Sequence, residues 1–186
     1  MTVSIRTNRL LLRQLQGSDA RHLYELTDRS RKHLERWLPW VPSVKSVADS
    51  LAFIESTVKQ YERNDGFHLG IWMDVSLVGV IGLHEIDHQN RSTSIGYWLG
   101  EEFQGRGYMS ETCRAVCIFL FQTSDLNRIW LRTAVGNIKS QNLAERLGFV
   151  REGILRKAEL LSAGYVDQCS YSLLRDDFAL RRKTLT

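Results

Sequence analysis

The spacing of hydrophobic residues along the chain predicts helices first and strands later. In the first third, apolar residues recur at intervals of three and four, which is typical of helices with one buried face. Serine and aspartate residues stand where these helices would begin, and a proline ends one of them, because the residue before proline disfavours helical backbone. The predicted elements are a strand, Arg9–Leu15, a helix from the Gly17–Asp19 turn to about Asp28, a helix Arg31–Leu38, and a longer helix that begins at Ser46 or Asp49 and aligns Leu51, Ile54 and Val58.

From Phe67 onward the apolar residues alternate with polar ones or form short runs, which predicts strands. Two shorter helical stretches interrupt them, and Gly148 suits the left-handed position that ends a helix. The predicted strands are Phe67–Met73, Leu77–Leu83, Thr93–Leu99, Arg128–Val135, a strand from Phe149 and Val166–Leu174, with helices Ser110–Gln122 and Lys139–Leu147 between them.

The order of these elements predicts an α/β layered fold with a mixed, partly antiparallel central sheet. No repeat or Pro/Gly/Ser linker interrupts the chain, so we expect a single domain over residues 1–186. The 43% hydrophobic and 25% charged shares are ordinary for a soluble globular protein. The longest apolar run, residues 115–121, is too short for a membrane span, and the N-terminus lacks a signal-peptide pattern, so a cytoplasmic protein is expected.

Charge and cysteine usage restrict the function only weakly. The net charge of +4 suits an anionic ligand or an acidic partner. It does not favour nucleic-acid binding, because no recognised reading motif accompanies it, and the basic run Arg181–Lys183 is expected to be a solvated tail. The three cysteines are irregularly spaced and predict no disulfide framework; Cys113 and Cys117 are expected to be small core residues.

The strongest local signal is the glycine-containing segment from Gln104 to Met109, which follows a predicted strand and opens a helix. Glycines allow successive backbone N–H groups to point into one concavity, and a helix N-terminus adds partial positive charge. Such a loop suits a pyrophosphate, with Arg106 as a cation at its rim. A plain strand-to-helix turn is the alternative. The spacing fits neither a Walker loop nor a Rossmann fingerprint.

This segment resembles the Q/R-x-x-G-x-G/A motif of the GNAT superfamily of acetyltransferases, with Met109 where glycine or alanine is usual. The similarity extends in order over nearly the whole chain and is closest to the RimJ/RimL-type enzymes that acetylate the N-termini of ribosomal proteins. The segments that carry it are Arg9–Arg13, Gly79–Leu83, Ile95–Leu99, Asn137–Asn142, Arg146–Phe149, Arg151–Gly153 and Arg156–Glu159.

The resemblance implies a GNAT fold in which the central sheet splays apart between its fourth and fifth strands, flanked by helices. We assign those two strands to Leu77–Leu83 and Thr93–Leu99, and expect the pantetheine arm of acetyl-CoA to lie between them. No metal is implied. The residues that the resemblance places at acetyl-CoA are Tyr97, Trp98, Leu99, Gln104, Gly105, Arg106, Gly107, Tyr108, Met109, Ser110, Asn137 and Ser140.

The implied reaction is acyl transfer from a thioester to a primary amine. An α-amine has a pKa of about 7.7–8.0, so a carboxylate acting through water is a sufficient base. By resemblance the base is Glu159, with Glu85 as the alternative. Ser140 would protonate the leaving thiolate, although it could instead cap the following helix, and Asn137 would bind the pantetheine amide or form an Asx turn.

The acceptor is less defined than the donor. A ribosomal protein N-terminus is expected, and a polyamine, an aminoglycoside or an amino acid is the alternative. Trp37, Pro39 and Trp40 form an aromatic loop that would close over a peptide or pack on the core. A homodimer is expected from the family alone.

One rival of another class comes from His84-Glu85-Ile86-Asp87-His88, which matches the H-E-x-x-H pattern of zinc peptidases. That pattern requires a helix to bring both histidines to one metal. Here it follows a Val/Ile/Gly-rich strand, and residues four apart in an extended chain are about 13 Å apart. The peptidase interpretation is therefore disfavoured.

Overall fold

An eight-stranded sheet organises the computed structural model, which describes residues 3–178. Its spatial order is β1-β2-β3-β4-β5-β6-β8-β7. Only β5 and β6 are parallel; all other neighbours are antiparallel, which confirms the mixed sheet. The basic run 181–183 lies outside the described residues. The strands are β1 Ser4–Arg6, β2 Leu11–Gln14, β3 His68–Met73, β4 Ser76–Asp87, β5 Ser92–Leu99, β6 Arg128–Ala134, β7 Val150–Leu161 and β8 Gly164–Leu174.

The helices that flank the sheet in the part of the chain that the structure describes include α1 Ala20–Arg29, α2 Arg31–Leu34, α3 Val47–Glu62, α4 Tyr108–Thr123 and α5 Ile138–Leu147. The predicted caps are confirmed, because Ser46 and Asp49 form a reciprocal capping box and Gly148 has φ 93°. α2 is shorter than predicted. The buried residues of α3 are Ser50, Ile54 and Thr57, so the expected inward positions of Leu51 and Val58 are wrong. Within residues 3–178, no helix has the length and apolar composition needed to cross a membrane.

The helices cover the two faces of the sheet separately. Alternate strand residues pack with α4 and α5 in one core, which includes Ile95 and Leu131. The other residues face a smaller core with α1 and α3, which includes Leu23, Ile54 and Val80. We call these the α4 face and the α1 face. The three cysteines are free and buried, as expected of core residues.

The splay in the sheet lies between β5 and β6. These parallel strands pair only where Ser92–Ser94 meets Arg128–Trp130, and then diverge. The assignment of the splay to Leu77–Leu83 and Thr93–Leu99 was therefore wrong. Those segments belong to β4 and β5, which form a hairpin that pairs from Asp87 and Ser92 to Gly79 and Leu99. Consecutive antiparallel strands joined by a short turn stay paired, whereas β5 and β6 are connected through the whole of α4.

Candidate active site

The glycine-containing loop lies at the open end of the gap between β5 and β6. Gly105 and Gly107 have φ of 75° and 79°, in the left-handed region that favours glycine. Gly107 is the N-cap of α4. Within residues 3–178, the backbone N–H groups of residues 105–110 make no hydrogen bond. Free N–H groups at a helix N-terminus form an anion-binding site.

The side chains of this loop point away from the site or to its rim. Tyr108 and Met109 are buried in the core, and the Tyr108 hydroxyl donates to Met73 Sδ at 3.0 Å. Only their backbone N–H groups are therefore available to a ligand, so a methionine at position 109 is compatible with anion binding. Arg106 is exposed, and Ser110 lies half-buried in the first turn of α4.

Arg9 holds this loop in place, a role that the sequence did not reveal. Its Nη1 donates to the carbonyl of Arg106 at 3.0 Å, and its Nε donates to Glu111 Oε2 at 2.7 Å. The guanidinium also lies 4.8 Å from the centre of the Tyr108 ring. Burial opposes ionisation of Glu111, but hydrogen bonds from Thr7 and Arg9 outweigh it and lower the pKa of that carboxyl.

A hydrogen bond crosses the gap on the α4 face. The hydroxyl of Tyr97, on β5, lies 3.0 Å from Ser140 Oγ, on α5. Burial raises the pKa of Tyr97 well above its usual range, so the phenol stays protonated near neutral pH. The neighbouring residue Trp98 points to the α1 face, and Leu99 is buried in the core beside α4. The structure thus brings Tyr97 and Ser140 together, 43 residues apart in sequence.

The N-terminus of α5 corrects one alternative for Ser140. Asn137 is the N-cap, and its side-chain oxygen accepts a hydrogen bond from the Ser140 backbone N–H at 3.2 Å. Ser140 is therefore not the cap, and its hydroxyl is free to interact with Tyr97.

Two further residues close the mouth of the gap, and neither was predicted. Lys139 Nζ, on α5, donates to Gln104 Oε1 at 3.1 Å, so a side chain that follows β6 reaches one that follows β5. The amide nitrogen of Gln104 contacts the Nε2 atom of His33 on α2. Burial lowers the pKa of His33, which favours the neutral ring that can accept this hydrogen bond.

Glu159 lies on the α1 face, beside the end of β6. Its Oε2 accepts a hydrogen bond from Gln168 Nε2 at 2.8 Å, and Gln168 is paired with Ala134. A bulge precedes Glu159 in β7, where Lys157 has φ 47° and its N–H donates to Asp167 Oδ1 at 2.8 Å. Bulges redirect side chains and are frequent beside active sites. Glu159 therefore lies on the opposite face of the sheet from the Tyr97–Ser140 pair, with β8 between its own strand and β6.

The aromatic loop between α2 and α3 covers the α1 face of the same region. The rings of Trp40 and Trp98 are 6.0 Å apart. A Cβ atom at Gly136, just after β6, would lie 3.7 Å from the Trp37 ring. These contacts place the loop over both walls of the gap, where an acceptor would enter.

Glu85, the alternative base, is exposed on β4, on the side of β5 that faces away from the gap. The H-E-x-x-H segment is part of the extended strand β4 and its turn, as predicted, and not of a helix. His84 Nδ1 contacts Ser94 Oγ at 2.9 Å, whereas His88 Nε2 contacts the carbonyl of Asn64 at 3.1 Å. Within the described residues no cluster of His, Cys, Asp or Glu has the arrangement of a metal site. The segment therefore lacks the geometry of a zinc peptidase.

A mixed sheet that opens between two parallel strands, with an anion-binding loop at the open end, defines an acetyltransferase of the GNAT type. The family model described as the acetyltransferase (GNAT) domain matches residues 9–150, and the chain belongs to this family. It is an enzyme of acetyl transfer.

Its relatives include enzymes that act on ribosomal proteins. The chain is 35% identical to "Putative ribosomal N-acetyltransferase YdaF" of Bacillus subtilis, covering 91% of this chain and 93% of that protein. It is 30% identical to the ribosomal-protein-serine acetyltransferase of Escherichia coli, covering 95% and 99%. The solved structure of RimL, the ribosomal L7/L12 alpha-N-protein acetyltransferase in complex with coenzyme A, matches with a TM-score of 0.90 at 27% identity, covering 94% and 99%.

Proposed function

We propose that this enzyme transfers the acetyl group of acetyl-CoA to the N-terminal α-amine of a ribosomal protein. The observation that carries the proposal is the gap between β5 and β6, with free backbone N–H groups at its mouth and Ser140 over its interior. The names of the relatives support a ribosomal acceptor, because both curated proteins described above have the word ribosomal in their names.

In this proposal the pyrophosphate of acetyl-CoA binds the N–H groups of residues 105–110, with Arg106 and Lys139 as neighbouring cations. The pantetheine arm runs into the gap and pairs with residues 95–99 of β5. Within the described residues, the edge of β5 that faces β6 has no strand partner beyond Ser94. Asn137 caps α5 with its side chain, so any contact with the pantetheine amide would use its remaining hydrogen-bonding capacity.

The acyl transfer then proceeds between the two faces of the sheet. The amine nitrogen attacks the thioester carbonyl carbon from the α1 face, and Glu159 takes one amine proton, directly or through water. As the carbon–nitrogen bond forms and the carbon–sulfur bond breaks, Ser140 donates its proton to the leaving thiolate. Solvent then returns a proton to Ser140 and removes the proton from Glu159, which restores the enzyme. A carboxylate is a sufficient base because an α-amine has a pKa of only about 7.7–8.0.

Acetylation of peptides would test this function directly. The panel would contain peptides copied from ribosomal protein N-termini, each with a matched peptide whose α-amine is blocked but whose lysines are free. We expect mass increases of one acetyl group only on the free N-termini. Turnover of a polyamine, an aminoglycoside or an amino acid without any peptide turnover would establish the small-molecule alternative and refute the ribosomal acceptor.

Binding of the donor is a separate measurement. Chelator-treated protein should bind acetyl-CoA saturably in a calorimeter. No binding by folded protein at near-millimolar acetyl-CoA would mean that the loop 104–109 is a structural turn.

A cytoplasmic location and a homodimer without nucleic-acid contacts complete the proposal. The β7–β8 hairpin forms an edge of the sheet and exposes apolar side chains at Ile154, Leu160 and Tyr165, which supports burial against a second copy. Sedimentation equilibrium of the wild type and of Ile154→Lys tests this: a wild type that stays monomeric at high concentration would refute the dimer.

A further inference from the structure

A bulge in β4 lies directly across β5 from the point where the sheet splits. Leu83 is paired with Ile95 and Ile86 with Thr93, so His84 and Glu85 together oppose Ser94. Side chains satisfy the carbonyl groups that the bulge releases: Gln60, on α3, contacts that of His84, and the Thr93 hydroxyl donates to that of Glu85 at 2.8 Å. Because the released carbonyl groups have hydrogen-bond partners, the bulge is a stable part of the strand, and such bulges redirect side chains.

The side chain that this bulge aims is the ring of His84. It lies on the α1 face over Gly96, where an added Cβ atom would be 2.6 Å from Cε1 and 2.7 Å from Nε2. The opposite side of the ring is exposed, and Nδ1 is 2.9 Å from Ser94 Oγ. Position 96 must therefore be glycine, because a Cβ atom there would clash with the Cε1–Nε2 edge of the ring, and Ser94 holds the ring through Nδ1.

This location is beside the reacting end of the gap. Ser94 is paired with Trp130, the last pair before β5 and β6 diverge. Gly96 precedes Tyr97, whose hydroxyl contacts Ser140 on the other face. A cavity of about 630 Å³ opens here, and the residues that line it include His84, Glu85, His88, Ser94 and Trp130. A thioester beneath Ser140 would thus have His84 on its acceptor side.

We propose that Nε2 of His84 binds the acceptor amine at the point where the sheet splits, and that Ser94 orients the ring. The Nδ1–H group donates to Ser94 Oγ, which leaves the Nε2 lone pair to accept one N–H of the incoming amine. Partial burial lowers the pKa of His84, so the ring is neutral near pH 7 and does not repel an ammonium group. This assignment rests on the proposed amine acetylation.

Steady-state kinetics of His84→Ala and His84→Gln test the proposal with an N-terminal-serine octapeptide as the acceptor. Loss of a hydrogen bond to a charged or developing charged group corresponds to about a 10- to 150-fold change. We expect His84→Ala to raise the acceptor KM by that factor with little change in the acetyl-CoA dissociation constant. Glutamine keeps an acceptor atom, so His84→Gln should raise the KM less. Ser94→Ala should raise it about 2- to 10-fold through ring orientation.

His22→Ala is the matched control, because that ring packs 5.9 Å from the Trp72 ring and is not part of the cavity lining, so the acceptor KM should be unchanged. An unchanged acceptor KM in His84→Ala, or an equal rise in His22→Ala, would overturn the assignment.

A second readout uses the wild-type protein and needs no variant. In ¹⁵N-histidine-labelled enzyme with bound coenzyme A, adding the octapeptide should shift the Nε2 resonance of His84 and leave that of His22 in place. An unshifted His84 resonance at saturating peptide would refute the contact. If no peptide is acetylated but a small amine is, the ribosomal acceptor fails, and the same variants assayed with that amine still decide the role of His84.

Discussion

The hydrogen bond between Tyr97 and Ser140 makes a sharp prediction about leaving-group protonation. If Ser140 donates its proton to the thiolate, its oxygen must accept a hydrogen bond from the Tyr97 hydroxyl, 3.0 Å away. The raised pKa of Tyr97 keeps that hydroxyl protonated and able to donate. Tyr97→Phe removes the donor and retains the ring, so the variant isolates the orientation of the serine proton.

The expected magnitude follows from the single contact that is lost. One hydrogen bond contributes about 0.5–1.5 kcal/mol, which predicts a kcat lower by about 2- to 12-fold with an unchanged acceptor KM. Ser140→Ala removes the proton donor itself and should lower kcat about 100- to 1,000-fold, as for other donors to developing negative charge. Tyr97 acts only through Ser140, so its replacement in the Ser140→Ala background should have no further effect.

A double-mutant cycle measures this coupling. Free thiol released from acetyl-CoA would be followed in all four enzymes, with kcat corrected for the folded fraction from urea unfolding. A loss of kcat in Tyr97→Phe that is equally large with and without Ser140 would refute the reasoning. It would show that the phenol supports the sheet and does not orient the serine.

Three further predictions concern the base, the loop and acid stability. Glu159→Gln should lower kcat about 100- to 10,000-fold, with Glu85→Gln as the matched control that keeps activity; the opposite pattern in steady-state kinetics would make Glu85 the base. Gly107→Ala forces a side chain into left-handed backbone at a cost of about 1–2 kcal/mol and should weaken acetyl-CoA binding by calorimetry. Burial raises the pKa of Asp19, but the hydrogen bond and charge of Arg13 outweigh it and lower the pKa overall. The Arg13–Asp19 pair therefore stabilises the fold fully above the unfolded pKa of about 3.9. Asp19→Asn should lower the free energy of unfolding at pH 7 by about 1.5–3 kcal/mol, measured by urea unfolding. This difference between variant and wild type should disappear as the pH falls through the lower pKa of the folded state.

Local patterns were sufficient for most of the elements. The spacing of hydrophobic residues, every two positions in strands and every three to four in helices, identified the β3–β5 meander, α4 and the β7–β8 hairpin. Each of these elements is determined by residues that are close in sequence. The short strand β1 was missed, since Ser4–Arg6 has too few residues for a period. The position of the splay was assigned to the wrong strands, because strand pairing depends on contacts made across α4.

The loop 104–109 was recognisable for the same local reason, whereas its support was not. Arg9 reaches the loop across 97 residues, and His33 contacts Gln104 across 71. Contacts between residues so far apart in sequence leave no periodicity or local motif from which they could be predicted. Neighbouring residues of a strand face opposite sides, so Tyr97 and Trp98 diverge, but only the folded chain shows that Ser140 meets the first and Trp40 the second.

In the proposed mechanism, the division of β5 into two faces would separate proton donation from proton acceptance across one narrow gap. Side chains of a strand alternate, so Tyr97 serves the α4 face while Gly96 and Trp98 serve the α1 face. Two of the sheet's bulges, at His84 in β4 and before Glu159 in β7, adjust side chains on the α1 face. A one-residue slip of β5 would exchange the two faces, which is why the hairpin with β4 has to hold its register on either side of the bulge. Since these two bulges carry residues of the proposed acceptor side, we expect acceptor preference to change through them while the leaving-group side stays constant.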